Sequence, residues 1–339
     1  MAKRRCDMWL SIGMCALLWG CDPQPAGPDP ALEADPPPTE DGRNPGAGNT
    51  DFDRGVAYIQ KEAYAEAIPH FDRALSAQPD NAEAEYYRAL AYHKTGAREK
   101  AEKGYQRALQ LNGELVLARL HLGALYLEEP PNPQKAIEVL EPATQKEPNA
   151  VDIREQLAFA YRLAGKNDQA LSQYDTALKI KDNPEVRLAY ADLLFELGKE
   201  DQAVTQMKKL VQHYKKDVEK LAFLAHRFGK SKAFDECVKT FDMAVALKPN
   251  EAAFYLHRGI CKHELKDEPG ARGDFDKALS VNAKFQPAHY YLGKSYALDK
   301  KARGKAVDHY QKAIAIDKDS AVGKKAQQEL NELVGAAKR

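Results

Sequence analysis

Along most of this chain the apolar positions follow a helical rhythm that is interrupted and restarted at a fixed interval. From residue 55 to 79 a small residue and an aromatic (Gly55, Tyr58) are followed by Ala67, Phe71, Ala74 and a closing Pro79. The same order returns as Ala89, Tyr92, Gly96, Ala101, Tyr105 and Ala108, and repeats every 33 to 35 residues almost to the C-terminus. Spacings of three and four residues within each copy predict two amphipathic helices. Glycine at the inner turn supplies the positive φ that ends the first helix, and proline after the second helix stops it.

Eight copies are read: 48–81, 82–115, 116–150, 151–183, 184–217, 218–251, 252–285 and 286–320. The third carries an extra residue in a proline-rich inner turn, 129–133. The fifth is degenerate, with Leu194 and Met207 where the other copies place aromatics. Gly or Ala in the first helix faces Ala in the second, so the backbones approach closely, and large rings fill the gaps between neighbouring hairpins. One hairpin cannot cover its own apolar face, so the stack is the folding unit. A last amphipathic stretch (Val322, Ala326, Leu330, Leu333) predicts a capping helix in 321–339.

The pattern resembles the tetratricopeptide repeat (TPR), a 34-residue helix–turn–helix. The resemblance implies an all-α superhelical solenoid of about eight repeats plus the C-terminal cap, over residues 50–320 and 321–339. Such solenoids bind peptides or helices along the first helices of their hairpins. Carried over by register, the groove positions in the N-terminal half are Phe52, Val56, Ile59, Tyr86, Leu90, His93, Leu120, Ala124 and Leu127. These are mostly apolar where solvent is expected, which marks an interaction surface; tight winding of the repeats, or the tether folding back, is the alternative cover. Further along, the face mixes Glu155, Phe159, Arg162, Leu188, Asp192, Phe195, His226, Ile260, His263, Tyr290 and Lys294, an orienting more than an anchoring set. The Lys/Asn/Arg clamp of chaperone-adaptor TPR domains is missing from the first three repeats, which argues against chaperone tails as ligands.

Composition changes this picture only at the N-terminus. Lys plus Arg equals Asp plus Glu at 50 each, and no basic stripe of the kind a nucleic-acid binder needs is visible. The balance is uneven along the chain. Lys3, Arg4 and Arg5 precede an apolar run, 8–19, too short to span a bilayer. The run ends in Leu18-Trp19-Gly20-Cys21, which resembles a bacterial lipobox, with Trp19 bulkier than that motif prefers. The resemblance implies a signal peptide over 1–20 and an acylated Cys21. Residues 21–49 follow as an acidic, proline-rich tether that cannot bury a core. In enterobacteria Asp at position 22 would mark retention at the inner membrane; inner and outer membrane both stay open.

Chemistry is faint. Gly229-Lys230-Ser231 and Gly293-Lys294-Ser295 look like the ends of a Walker loop but lack its first glycine and fall inside helical hairpins. The nine histidines form no metal-ligand spacing. Cys237 falls in the small packing slot and Cys261 on the next first helix. Buried free thiols are expected there, with a disulfide the alternative in an oxidising periplasm. No catalytic residue, cofactor or metal is expected.

The expectation is a non-enzymatic, lipid-anchored scaffold facing the periplasm that binds partner proteins in its groove and assists assembly of an envelope complex. Pilotins of type IV pilus secretins share this layout. The alternative is a non-catalytic organising subunit of cell-wall or polysaccharide synthesis.

Overall fold

The computed structural model describes residues 47–335. The expected signal at 1–20, the acylation site Cys21 and the tether up to residue 46 lie outside the described residues. Among the described residues there are seventeen α-helices and no strand. The chain divides into two compact units, 1–193 and 194–339, and the division falls near the end of a helix of the degenerate fifth repeat.

In the first unit the helices are α1 (Ala47–Gln60), α2 (Tyr64–Ala77), α3 (Ala82–Lys94), α4 (Arg98–Leu111), α5 (Val116–Leu127), α6 (Pro133–Lys146), α7 (Val151–Leu163), α8 (Asn167–Ile180) and α9 (Pro184–Glu196), the last crossing the division. The second unit continues with α10 (Glu200–His213), α11 (Val218–Lys230), α12 (Phe234–Leu247), α13 (Ala252–Glu264), α14 (Glu268–Val281), α15 (Gln286–Ala297), a short 3₁₀ turn (Lys300–Ala302), α16 (Arg303–Ile316) and α17 (Ala321–Gly335). Each odd helix from α1 to α15 is the first of an expected hairpin, and α17 is the expected cap. Helix α1 begins three residues inside the stretch read as tether.

The expected packing slots are filled as read. Ala67, Ala101, Ala136, Ala170, Ala203, Cys237, Ala271 and Ala306 are all fully buried, and so are Phe71, Tyr105, Leu140, Met207 and Phe275 a turn later. Met207 takes the aromatic slot of the fifth repeat and is fully buried there, as an unbranched side chain conforms to its surroundings. In the last hairpin a Cβ added to Gly293 would stand 2.6 Å from the Tyr310 ring, so only glycine admits that approach.

Six inner turns share one hydrogen bond, from an amide to the carbonyl five residues earlier: Ala63 to Tyr58, Ala97 to Tyr92, Lys166 to Tyr161, Lys199 to Leu194, Ala233 to Phe228 and Asp267 to Lys262. This is the Schellman ending, which requires one left-handed residue. Glycine supplies it at Gly96, Gly165 and Gly198 as expected, but Glu62, Lys232 and Lys266 supply it elsewhere with φ of 57 to 66°. The third and eighth turns differ. The third contains a cis Glu129–Pro130 bond and the eighth the 3₁₀ turn.

Cys237 and Cys261 are joined by a disulfide, so the expectation of free thiols is corrected. Both sulfurs lie within 3.6 Å of the space that a side chain on Gly229 would occupy. Two small slots on α12 and α13 meet across the joint between repeats six and seven, and repeat register alone does not show that contact.

Candidate partner-binding face

The expected groove residues sit on the first helices. In the first unit α1 touches α3, α3 touches α5 and α5 touches α7. This side-by-side contact changes what those residues can do. Tyr86 is 5% exposed and Leu90 8%, and Leu120, Leu127, Phe159 and Asp192 are likewise buried. The expectation that these positions face solvent is corrected: all six are buried, and neighbouring first helices lie against one another from α1 to α7. Phe52, Val56, Ile59, His93, Ala124 and Arg162 remain partly exposed.

Around these positions the face is polar in places, with half-buried groups that are mostly paired. The Tyr86 hydroxyl and His121 Nδ1 are 3.0 Å apart with their rings stacked at 5.7 Å. Burial, then the nearby charge of His93, pushes the His121 imidazole down to about 4, so it is neutral at pH 7. His93 places Nδ1 3.3 Å from the Tyr105 hydroxyl and Nε2 2.7 Å from Glu128. Arg98 reaches the same carboxylate at 3.2 Å and the Leu125 carbonyl at 2.6 Å. Burial alone would raise Glu128; the hydrogen bond and charge of His93, with Arg98, outweigh it and hold the carboxyl below its usual value. Glu155 has no such cation. Burial, then the charges of Glu185 and Asp152, pushes it up to about 7.

In the second unit His226 is exposed and donates Nδ1–H to the Ala222 carbonyl at 2.8 Å. Its ring lies 4.1 Å from that of His257. His263 is buried, which corrects its expected place on an open face. Its Nδ1 is 2.8 Å from Glu268 Oε1, at ion-pair distance without hydrogen-bond alignment, and Ser295 donates to the other Glu268 oxygen at 2.5 Å. The carboxylate, not the imidazole, stands beside this hydroxyl, and Ser295 is itself buried. The order is wrong for a histidine-activated nucleophile. Ser231 and Ser295 of the Walker-like runs both lie at or within helices, engaged with Arg227 carbonyl and Glu268. Among the described residues no group of three or more His, Cys, Asp or Glu side chains could hold a metal ion.

Two cross-repeat devices were not read from the sequence. Rings sixteen residues apart pack across the joints: Phe71 with Tyr87, Tyr105 with His121, Tyr174 with Tyr190, Phe241 with His257, and Phe275 with Tyr291, at centroid distances of 5.6 to 6.2 Å. At the same spacing Arg88 pairs with Asp72 at 2.8 Å and Arg258 with Asp242 at 2.7 Å. The recurring sixteen-residue interval was the available signal. Where Met207 replaces the ring, its partner Phe223 is left 40% exposed, with the Arg227 guanidinium over it at 5.7 Å and over Phe195 at 5.1 Å.

Paired helices with these slots, turns and joints define an all-α tetratricopeptide-repeat fold. Residues 58–216 match the tetratricopeptide repeat family model. The chain is 20% identical over 286 residues to the human mitochondrial import receptor subunit TOM70, covering 80% of this chain and 46% of that protein, so it spans about half the length of this relative. It is 30% identical over 91 residues to the Arabidopsis thaliana E3 ubiquitin-protein ligase CHIP, covering 27% of this chain and 32% of that protein. Among solved structures, the C-terminal part of a TPR repeat-containing protein from Cytophaga hutchinsonii is 16% identical, covers 81% of this chain and 98% of its own, and superposes with a TM-score of 0.48. Among the described residues no helix is long and apolar enough to cross a membrane.

Proposed function

We propose that this chain is a non-enzymatic scaffold of the bacterial cell envelope, acylated at Cys21, that holds partner proteins on the first-helix face of its N-terminal repeats. One observation carries the reading. Phe52, Val56, Ile59, His93, Ala124 and Arg162 stay partly open on helices whose neighbouring positions Tyr86, Leu90, Leu120, Leu127 and Phe159 are buried. An open row between packed side chains gives a partner segment pre-organised contacts, which lowers the entropy cost of binding. The Cys237–Cys261 bond supports an oxidising compartment such as the periplasm. The relative's printed role as a receptor subunit agrees with protein recognition.

The test uses photo-crosslinking residues at Val56 and Ala124 in intact cells. Capture of one envelope protein at both, lost on Phe52→Asp and reproduced with the two purified proteins, supports the reading. Leu90 and His263 are poor probe positions because both are buried. Capture only on the opposite helices overturns it. The anchor is tested separately: Cys21→Ser should release the chain from the membrane fraction, and retention there would remove the lipid from the account.

A further inference from the structure

The eighth inner turn differs from the others in chemistry as well as shape. Leu298 follows the end of α15 and is 63% exposed, the most exposed large apolar side chain among the described residues. Lys300, Lys301, Arg303 and Lys305 follow within seven residues, against the single acid Asp299. Asp299 is occupied in capping the 3₁₀ turn, accepting from the Lys301 amide at 2.8 Å. Lys300, Lys301 and Lys305 are exposed. None of the four cations forms an ion pair with a described residue, whereas Arg88 and Arg258 each bridge two carboxylates. A nitrogen of Arg303 is buried without a hydrogen-bond partner. Arg272 and Lys305 sit over the Tyr296 ring at 4.9 and 5.4 Å, and the charge of both reaches Asp276.

We propose that this turn is a contact point for a membrane surface rich in anionic phospholipid, with Leu298 entering the headgroup layer and the lysines lying against the phosphates. The geometry favours a bilayer over other polyanions. An exposed apolar side chain followed closely by exposed lysines enters a soft surface with hydrocarbon beneath it, while lysines near that surface gain from its negative potential. A nucleic acid would reward an open aromatic platform, but the Tyr296 ring beside this turn is covered by two cations and stacked on His309. The inference does not depend on acylation at Cys21, and its test removes that contribution.

The full chain carrying Cys21→Ala is incubated with phosphatidylcholine vesicles containing about 30% phosphatidylglycerol, and hydrogen exchange is read over residues 297–306. This local readout separates the turn from any binding by the N-terminal segment. Exchange should slow about tenfold, and raising the salt from about 0.05 to about 0.5 M should abolish the slowing. Lys300→Glu with Lys301→Glu, and separately Leu298→Asp, should each remove the slowing. Reversing Lys215 and Lys216, another exposed pair, should leave it intact. Equal slowing on neutral vesicles, no slowing at all, or insensitivity to Lys300→Glu/Lys301→Glu overturns the proposal. The same slowing produced by duplex DNA assigns the turn to polyanions generally and overturns it as well.

Discussion

Repeats two and eight place the same three rings at the same positions and complete them differently. Tyr86, Tyr87 and Tyr105 lie 4.9 and 6.1 Å from ring to ring; Tyr290, Tyr291 and Tyr310 lie 5.1 and 6.1 Å apart. In repeat two the hydroxyls meet imidazoles, Tyr86 facing His121 of the next repeat and Tyr105 facing His93. In repeat eight the next helix is α17, which brings one carboxylate, Glu329, that accepts Tyr290 at 2.6 Å and Tyr310 at 2.5 Å. At the interior joint the Tyr86 hydroxyl is thus met by the neutral imidazole of His121. The joint with α17 is closed by one carboxylate shared between two donors, a stronger kind of bond. Burial first, and then that carboxylate, raises both tyrosines, which keeps them donors at every ordinary pH.

The difference can be broken at several strengths. Removing the central ring from either joint should cost most: Tyr105→Ala and Tyr310→Ala should each lose about 4 kcal/mol in urea unfolding, because both rings are fully buried. A much smaller loss for Tyr310→Ala would mean that the cap collapses into the space. Next comes the joint closed by covalent means. Reduction, or Cys237→Ala with Cys261→Ala, should cost about 3 kcal/mol for a loop of this size, and alanine is the residue the other repeats place at the first position. Equal stability of oxidised and reduced protein would show that packing alone holds that joint.

The acceptors follow. Glu329→Leu orphans two hydroxyls and should cost about 2 kcal/mol, whereas His121→Leu orphans one and should cost about 1 kcal/mol. If the two losses are equal, the shared carboxylate has no advantage over the imidazole. The smallest effect is a pH dependence that separates the two units. His257 and His309 in the second unit are pushed down to about 4 by burial first, and His289 is also lowered, so their neutral forms are favoured by folding. A lowered histidine loses stability as pH falls from its ordinary value near 6.5 toward 4. Only Asp276, raised by burial, pulls the other way there. In the first unit His121 acts in the same direction, but Glu155 at about 7 gains stability over the same interval as it protonates. Hydrogen exchange between pH 6.5 and 4.5, corrected for the intrinsic rate, should show the second unit loosening first. Simultaneous loosening would mean that Glu155 is relieved by a cation near it.

Much of the fold was legible because small and aromatic residues recur at helical spacing. Ala67, Phe71 and Ala74 establish a template, and each later copy repeats the steric problem it solves. The eight hairpins, the buried slots, the glycine turns at 96, 165 and 198 and the cap at α17 all follow from it. The left-handed Glu62, Lys232 and Lys266 were not legible. The turn's hydrogen bond imposes the conformation, and a side chain there only makes it costlier. The depth of Tyr86, Leu90 and Phe159 was missed for a related reason. Register within one hairpin says which way a residue points, while its exposure is decided by how closely the next first helix lies. The disulfide depended on the same unseen distance, between two slots on different hairpins.

That bond also sets a ruler on how far the chain can be drawn out. Its cysteines are 24 residues apart. At about 3.4 Å per extended residue, about 80 Å of contour stays locked while the bond is intact. Pulled from its ends, an oxidised molecule would reach full extension that much sooner than a reduced one. A protein held at a surface by its N-terminus and loaded by a partner would therefore carry, between repeats six and seven, a segment that tension cannot pay out.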